Sequence, residues 1–338
     1  LIDGAYDRRG KFGSTAPRGR VERGRQHAPT GHRMIDTTRP NSTRAAILVP
    51  FAIVTLIWGS TWLVIRDQLS VVPASWSVSY RFLTAGIAML AWALVRRERF
   101  DFDARGWGFA AALGAAQFVF NFNFVYRAEQ HITSGLVAVV FALLLVPNAL
   151  FGRIFLGQKL GRQLIAGSAV AMAGVVLLFI NEARSDPHGS ASALLGIALT
   201  CCAILSASSA NVMQATQMAR RYPMNATLAV AMLIGATLDA IWAWSTAGPP
   251  VFEWRAGYVA GILYLGLAAS ALCFPLYFNV IRVIGPAKAA YSSVIVPVIA
   301  MFLSTLFEGY RWSPLAIGGA ALAGVGLVIA LTARRPAR

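Results

Sequence analysis

Residues 136–178 read LVAVVFALLLVPNALFGRIFLGQKLGRQLIAGSAVAMAGVVLL, and residues 286–328 read PAKAAYSSVIVPVIAMFLSTLFEGYRWSPLAIGGAALAGVGLV. Laid over one another without a gap, they place Val146-Pro147 on Val296-Pro297, Leu156 on Leu306, Ala166 on Ala316 and Ala173-Gly174-Val175 on Ala323-Gly324-Val325. Chance identity is high where Ala, Leu, Val and Gly abound, so the paired prolines inside apolar runs are the informative match. Each stretch holds two apolar runs separated by a short polar break. A run of about 20 apolar residues is the length that carries a helix across the hydrocarbon core of a bilayer.

Working outward from this pair, runs of that length recur near residues 45–65, 74–95, 106–126, 132–152, 161–181, 191–213, 224–244, 255–280, 287–307 and 313–332. The composition agrees: 57% of the 338 residues are hydrophobic and 13% charged, whereas soluble domains carry about 25% charged residues. The expected fold is an all-α membrane protein of ten transmembrane helices, and no connection is long enough for a second soluble domain. With the amino terminus inside, the inner connections carry Arg96, Arg97, Arg99, Arg105, Arg153, Lys159, Arg162, Arg220, Arg221, Arg282, Arg334, Arg335 and Arg338. The outer ones carry Arg66, Arg127, Arg184, Arg255 and Arg311. Cytoplasmic loops collect Lys and Arg, so both termini are expected in the cytoplasm.

Five crossings per half turn the second half upside down relative to the first. The expected organisation is two inverted five-helix repeats, 45–182 and 190–332, followed by a cytoplasmic tail, 333–338. Inverted repeats are common in secondary transporters, where the substrate site lies near the midplane between the halves.

Residues 1–44 hold 10 of the 30 Lys and Arg residues and much of the Gly, Pro and Ser/Thr, and read as a disordered basic tail. The first methionine is Met34, so residues 1–33 are expected to be upstream of the biological start. The tail inflates the net charge of +16, and nucleic acid is not an expected partner. The first span is too long for the core of a signal peptide and has no small-residue exit. Trp76, Trp107, Trp242, Trp244, Trp254 and Trp312 fall near span ends and read as interface residues.

The chain resembles the drug/metabolite transporter superfamily, specifically its EamA-type ten-helix members, over roughly residues 46–332. The resemblance rests on Trp58-Gly59-Ser60-Thr61-Trp62, Tyr80-Arg81-Phe82, Pro147, Pro297, and Leu306-Phe307-Glu308 followed by Gly324-Val325. Gln158 stands where the first half of the family usually has a glutamate. The resemblance implies export of amino acids, aromatic ones included, or of other metabolites; more distant relatives exchange phosphorylated or nucleotide-linked metabolites.

The residues themselves exclude several other chemistries. Gly152 to Gly157 has the glycine spacing of a phosphate loop, but Gln158 occupies the lysine position and no Ser or Thr follows Lys159. No His-Glu-x-x-His run occurs, and Cys201, Cys202 and Cys273 read as small packing residues, so neither a metal nor a cofactor is expected. The expected partners are a small-molecule substrate and the lipid bilayer; the oligomeric state is left open.

Ionisable and polar residues inside spans are expensive in lipid and carry a functional expectation. Lys288 shares a helical face with Tyr291 and Ser292 at i, i+3 and i+4, where its ammonium would suit a carboxylate or phosphate, unless it snorkels to the inner interface. Arg81 reads first as a structural member of the Arg-Phe pair, Asp239 as an interface residue near Trp242, and Glu308 as a packing or gate residue. Gln117 and Asn121 share one face of span three, while Asn123 points the other way. Ser206 and Ser209 with nearby Asn211 mark span six, and Ser270, Phe274 and Tyr277 form a stripe in span eight. Trp58 lies well inside span one and, with Tyr277 and Tyr291, is expected to form an aromatic wall. The expected substrate-binding set is therefore Trp58, Ser60, Trp62, Gln117, Asn121, Ser206, Ser209, Tyr277, Lys288, Tyr291 and Ser292, with Pro147 and Pro297 as bend points.

Overall fold

In hydrocarbon every backbone N–H and C=O must be bonded within the protein, which leaves helices as the natural state of long apolar runs. The computed structural model describes residues 39–158, 161–185, 190–290 and 292–331, and among these every regular element is helical. We number the principal helices of the described residues α1 (Arg39–Gln68), α2 (Ala74–Val95), α3 (Ala104–Ala128), α4 (Ser134–Leu156), α5 (Arg162–Ser185), α6 (Ser190–Gln214), α7 (Met224–Ala247), α8 (Ala256–Ile284), α9 (Ser292–Phe307) and α10 (Pro314–Leu331). Seven helices among the described residues are long and apolar enough to cross a membrane, namely α1 to α4 and α6 to α8; shorter apolar helices cover Arg162–Leu178, Val296–Phe307 and Pro314–Ala330. Each principal helix falls on one of the expected apolar runs. Residues 1–38 of the basic tail and residues 332–338 lie outside the described residues.

Punctuation sets the helix ends. Pro73 and Pro223 immediately precede α2 and α7, and the missing N–H of proline costs nothing at a helix start. α4 stops at Gly157 with φ 66, a left-handed backbone that glycine adopts without penalty. α3 is capped by Asp103, whose carboxylate accepts the Gly106 N–H at 2.9 Å.

Two helices are not regular. α3 widens to a π-turn over Gly114–Phe120, and α8 does so over Tyr264–Leu272. Each bulge presses a glycine against a neighbour. A Cβ on Gly114 would sit 2.5 Å from the Ala231 carbonyl of α7, and one on Gly266 would sit 2.8 Å from the Thr84 side chain of α2. Backbones come closer still between α5 and α10, where a Cβ on Gly174 would lie 2.3 Å from Ala323 N and one on Gly326 would lie 2.2 Å from Ala171 N. Without a hydrophobic drive between helices in lipid, such small-residue seams let backbones approach and dispersion hold them. α2 packs along α7 as α5 packs along α10.

The distribution of side chains is that of a membrane protein. Leu56, Val95, Phe155, Val298 and Phe302 are exposed on the outer faces, while Arg81, Gln117, Asn121, Asn123, Glu129, Asn148, Asn211 and Asp239 are buried. Polar pairs tie helices together inside: Tyr126 Oη donates to Gln68 Oε1 at 3.0 Å, and Asn211 Nδ2 donates to Asn148 Oδ1 at 3.3 Å.

Two sequence expectations differ from the structure. Trp76 is buried instead of lying at the interface, stacked on Tyr80 with its indole N–H on the Gly248 carbonyl at 3.3 Å, because the α7–α8 connection folds over it. Asp239 is also fully buried, accepting Asn123 Nδ2 at 2.6 Å.

Candidate functional site

Helices α1, α2, α3, α4, α6, α8 and α9 converge on a cavity of about 90 Å³. The helical repeat decides which residues face it. On α1, Trp58, Thr61, Trp62 and Ile65 recur at intervals of three to four and line one wall. On α3, Gln117 and Asn121 do the same, joined by Phe122 and Val125 just beyond the wide turn. Phe141 of α4, Ala207 and Asn211 of α6, Phe274 and Tyr277 of α8, and Val296 and Pro297 of α9 extend the lining.

The walls are aromatic. Trp58 lies 5.5 Å from Phe274 and 4.9 Å from Tyr277 between ring centroids, held by its indole N–H on the Ala269 carbonyl at 2.9 Å. That carbonyl belongs to the wide turn of α8, where a π-turn frees backbone groups from the regular ladder. Trp62 meets Phe141 edge-on at 5.6 Å.

The polar end is small and incomplete. Arg81, 1% exposed, donates from Nε to Ser270 Oγ at 3.0 Å and lies over Phe122 with Cζ 4.3 Å from the ring centroid. The Tyr126 phenol is a further neighbour of the guanidinium. Arg81 Nη1 has no hydrogen-bond partner, and among the described residues no carboxylate stands within ion-pair distance of it. The Trp62 indole N–H and the Asn121 amide oxygen are likewise buried without partners. Two kinds of donor and one acceptor thus edge the same aromatic cavity, unmatched by protein.

Of the expected site residues, Trp58, Trp62, Gln117, Asn121, Tyr277 and Pro297 line this cavity. Ser60 is not among the lining residues: its hydroxyl contacts the Ile57 carbonyl at 2.8 Å and Tyr264 Oη at 2.6 Å. Ser206 and Ser209 are not lining residues either. Ser209 is bonded back to the Leu205 carbonyl at 2.9 Å, and α6 presents Ala207 and Asn211 instead. Tyr291 and the side chains of Lys288 and Ser292 lie outside the described residues. Pro147 is buried in α4 directly after a tightened turn at Ala142–Leu144 and is not part of the lining. Arg81 reads in the sequence as a structural residue, though its charge inside a span is the signal for the cavity role. Asn211 stands out there only as a neighbour of the two serines, and Phe122 and Phe141 carry no distinguishing mark among apolar residues.

Polar clasps flank the cavity at both ends of the bundle. Near the starts of α3 and α7, Tyr222 Oη donates to Asp103, Arg221 pairs with the same carboxylate at 3.2 Å, and Glu98 accepts Asn225 Nδ2 at 2.5 Å and the Ala226 N–H at 2.9 Å. The Tyr222 hydrogen bond, reinforced by the Gly106 N–H and nearby Arg221, holds the Asp103 carboxyl below its ordinary range. At the opposite end Arg255 bridges Asp67 at 2.8 Å and Glu253 at 2.9 Å, which raises its affinity for its proton further. An open crevice lies beside this second clasp, lined by Arg66, Asp67, Tyr264, Phe307 and Glu308.

Comparison with known proteins decides the family. The sequence profile of the EamA-like transporter family matches residues 45–180 and again residues 194–332. The chain belongs to the EamA-like transporter family. The EamA-like chain is 30% identical over 264 residues to YedA of Escherichia coli K12, named an uncharacterized inner membrane transporter, covering 75% of this chain and 80% of YedA. It is 25% identical over 277 residues to protein PagO of Salmonella typhimurium, covering 80% of this chain and 88% of PagO. A third relative, from Streptantibioticus cattleyicolor, bears the name "probable terminal-alkyne amino-acid exporter" and is 25% identical over 228 residues, with 65% of this chain and 70% of that one covered. A solved crystal structure shares the EamA-like fold with a TM-score of 0.64 at 20% identity, over 85% of this chain and 97% of that one. The protein is accordingly a multi-pass transporter of the inner membrane, with a small-molecule substrate and a lipid surround.

Proposed function

We propose that this EamA-like protein is a secondary transporter that exports small amphiphilic metabolites, amino acids including aromatic ones first, by alternating access. In this reading residues 45–182 and 190–332 are inverted five-helix repeats with ten crossings in all, both termini are cytoplasmic, and the solute sits in the central cavity. Two separate family matches, and wide turns and glycine contacts that recur in α3 and α8, support the repeat.

The observation that carries the substrate reading is Arg81, a fully buried guanidinium with an unused N–H and no carboxylate within ion-pair distance among the described residues. An unpaired buried charge costs several kcal/mol, and a solute carboxylate in the cavity offsets that cost through charge-assisted hydrogen bonds. Asn121 Oδ1 is then available to an ammonium group, and the Trp58, Trp62, Phe274 and Tyr277 rings to an apolar or aromatic side chain. The exporter name of one relative points the same way. A phosphorylated solute would bring a second negative charge, for which the described lining offers no second cation. Scattered polar groups between aromatic walls fit a carrier better than a continuous aqueous channel.

An uptake screen of labelled amino acids in proteoliposomes tests the reading. Saturable uptake of an amphiphilic amino acid is the expected result. Uptake confined to phosphorylated solutes would move the assignment to an anion exchanger, and non-saturable flux would move it to a channel.

A further inference from the structure

Glu129 closes α3. Its N–H returns to the Val125 carbonyl at 3.1 Å, and the following residues turn tightly, with the Gln130 N–H on the Arg127 carbonyl and the Ile132 N–H on the Ala128 carbonyl. The Glu129 side chain is wholly inaccessible, and neither carboxyl oxygen has a hydrogen-bond partner. Asp239, another fully buried acid, at least receives an amide N–H from Asn123. An ionised carboxylate with no donor in such a place is far costlier than a neutral one, so burial there favours the protonated form. Burial, followed by the neighbouring Glu308 carboxylate, pushes Glu129 well above the usual carboxylate range; Arg66 and Arg81 oppose this.

The surroundings come from several helices. Glu308 directly follows α9, where its Oε2 accepts the Ser304 hydroxyl at 2.5 Å and its Oε1 has no partner. Ser304 in turn lies against the start of α4, since a Cβ on Gly135 would sit 2.9 Å from Ser304 Cβ. Gly135 stands just beyond the turn that leads from Glu129 into α4, so the end of α9 packs beside that turn. Arg66 is in the last turn of α1, next to Asp67, which is engaged by Arg255, and Arg81 belongs to α2. Tyr126 is on the same helix as Glu129, and its phenol donates to Gln68. His131, on the turn, contacts Ser192 Oγ at 3.2 Å. Helix α6, which packs along the second half of α3, has no charged residue between Ser190 and Gln214.

We propose that Glu129 is a proton-binding site of the transport cycle, that Glu308 helps set its occupancy, and that its proton is linked to anion binding at Arg81. The linkage clause rests on the reading of Arg81 given above; the proton site does not. With Arg81 bare, its positive charge favours the carboxylate form of Glu129. A solute carboxylate on Arg81 cancels that charge, so the proton is held more tightly, and by reciprocity the protonated site binds the anion more tightly. The step itself is a dissociation: the Glu129 O–H bond breaks, the electron pair stays on the carboxylate, and the proton passes to water.

Infrared difference spectra of the full chain in lipid bilayers, titrated from acid to alkaline buffer without any solute, test the site. The expected result is a protonated-carboxyl band at neutral pH that Glu129→Gln removes and Glu129→Asp shifts. A spectrum unchanged in both variants would overturn the proposal. In Glu308→Gln the midpoint of the band should fall, because a neighbouring negative charge is gone, and in Arg81→Gln it should rise. Midpoints that stay in place would overturn the roles given to Glu308 and Arg81. Since no solute is present, failure of the amino-acid reading would leave these spectra as they are.

Discussion

Arg81 on α2 donates from Nε to Ser270 Oγ at 3.0 Å, and Ser270 sits in the wide turn of α8. The guanidinium is thereby fixed along one edge by a residue of the other half of the chain, while Nη1 stays without a partner beside the cavity. A regular helix would place the α8 side chains in a different register, so the irregular turn and the charge form one device.

Removing that charge should abolish most transport. Arg81→Gln is expected to lower solute affinity by about 10- to 100-fold, the equivalent of a charge-assisted hydrogen bond worth roughly 1.5–3 kcal/mol, with membrane abundance retained. Arg81→Lys should keep part of the activity, since the charge stays but the planar fork is lost. Equal uptake by all three proteins would remove Arg81 from the site.

Trp62→Phe separates ring from donor. It retains an aromatic wall against Phe141 but removes the unpartnered indole N–H. Weaker solute binding at normal abundance is expected in equilibrium binding assays. Trp58→Ala, by contrast, should penalise aromatic solutes more than aliphatic ones, because it removes the ring packed on Phe274 and Tyr277.

The α5–α10 seam should tolerate no added bulk. Gly326→Val places side-chain atoms where a Cβ alone would already be 2.2 Å from Ala171 N. Overpacking of this kind costs about 1–3 kcal/mol, and reduced thermal stability in detergent is the expected outcome. Gly318→Ala, where nothing lies within 4 Å of the added Cβ, is the matched control.

Acid should weaken the clasp at Asp103. Its carboxyl titrates below its ordinary value in the folded protein, chiefly through the Tyr222 hydrogen bond. The stabilisation is therefore present above the unfolded-state value, about 3.9, and is lost as pH falls through the lower folded-state value. Melting curves of the parent and Asp103→Asn proteins should differ at neutral pH and converge in acid. The same bond raises the Tyr222 phenol, so its contribution is complete below the ordinary phenol range and fades as pH rises through the higher folded-state value.

Topology can be tested directly. Basic residues favour the expected inner connections, so a reporter fused after Arg338 should be cytoplasmic and one inserted near Asp186 external. Both on one side would break the five-plus-five arrangement.

The site residues differ in how legible they were. Gln117 and Asn121, four apart on one helix, could be read as a pair because the helical period alone puts them on one face, and both line the cavity. Ser206 and Ser209 satisfied the same rule three residues apart, yet the cavity receives Ala207 and Asn211, because periodicity defines a stripe without saying which stripe turns inward.

The sequence by itself determined the positions of the helices and the membrane setting, because apolar runs of fixed length leave the backbone no other way to satisfy its hydrogen bonds in lipid. It also marked the matching prolines and the costly charge at Arg81. Only the tertiary structure decided that Arg81 meets Ser270 and Phe122 at an aromatic cavity, that Trp76 and Asp239 are buried, and that the Glu129 carboxyl is left without a hydrogen-bond partner. Those outcomes depend on which helix faces are pressed together and where α3 and α8 widen, relations between residues far apart in the chain that no local pattern encodes.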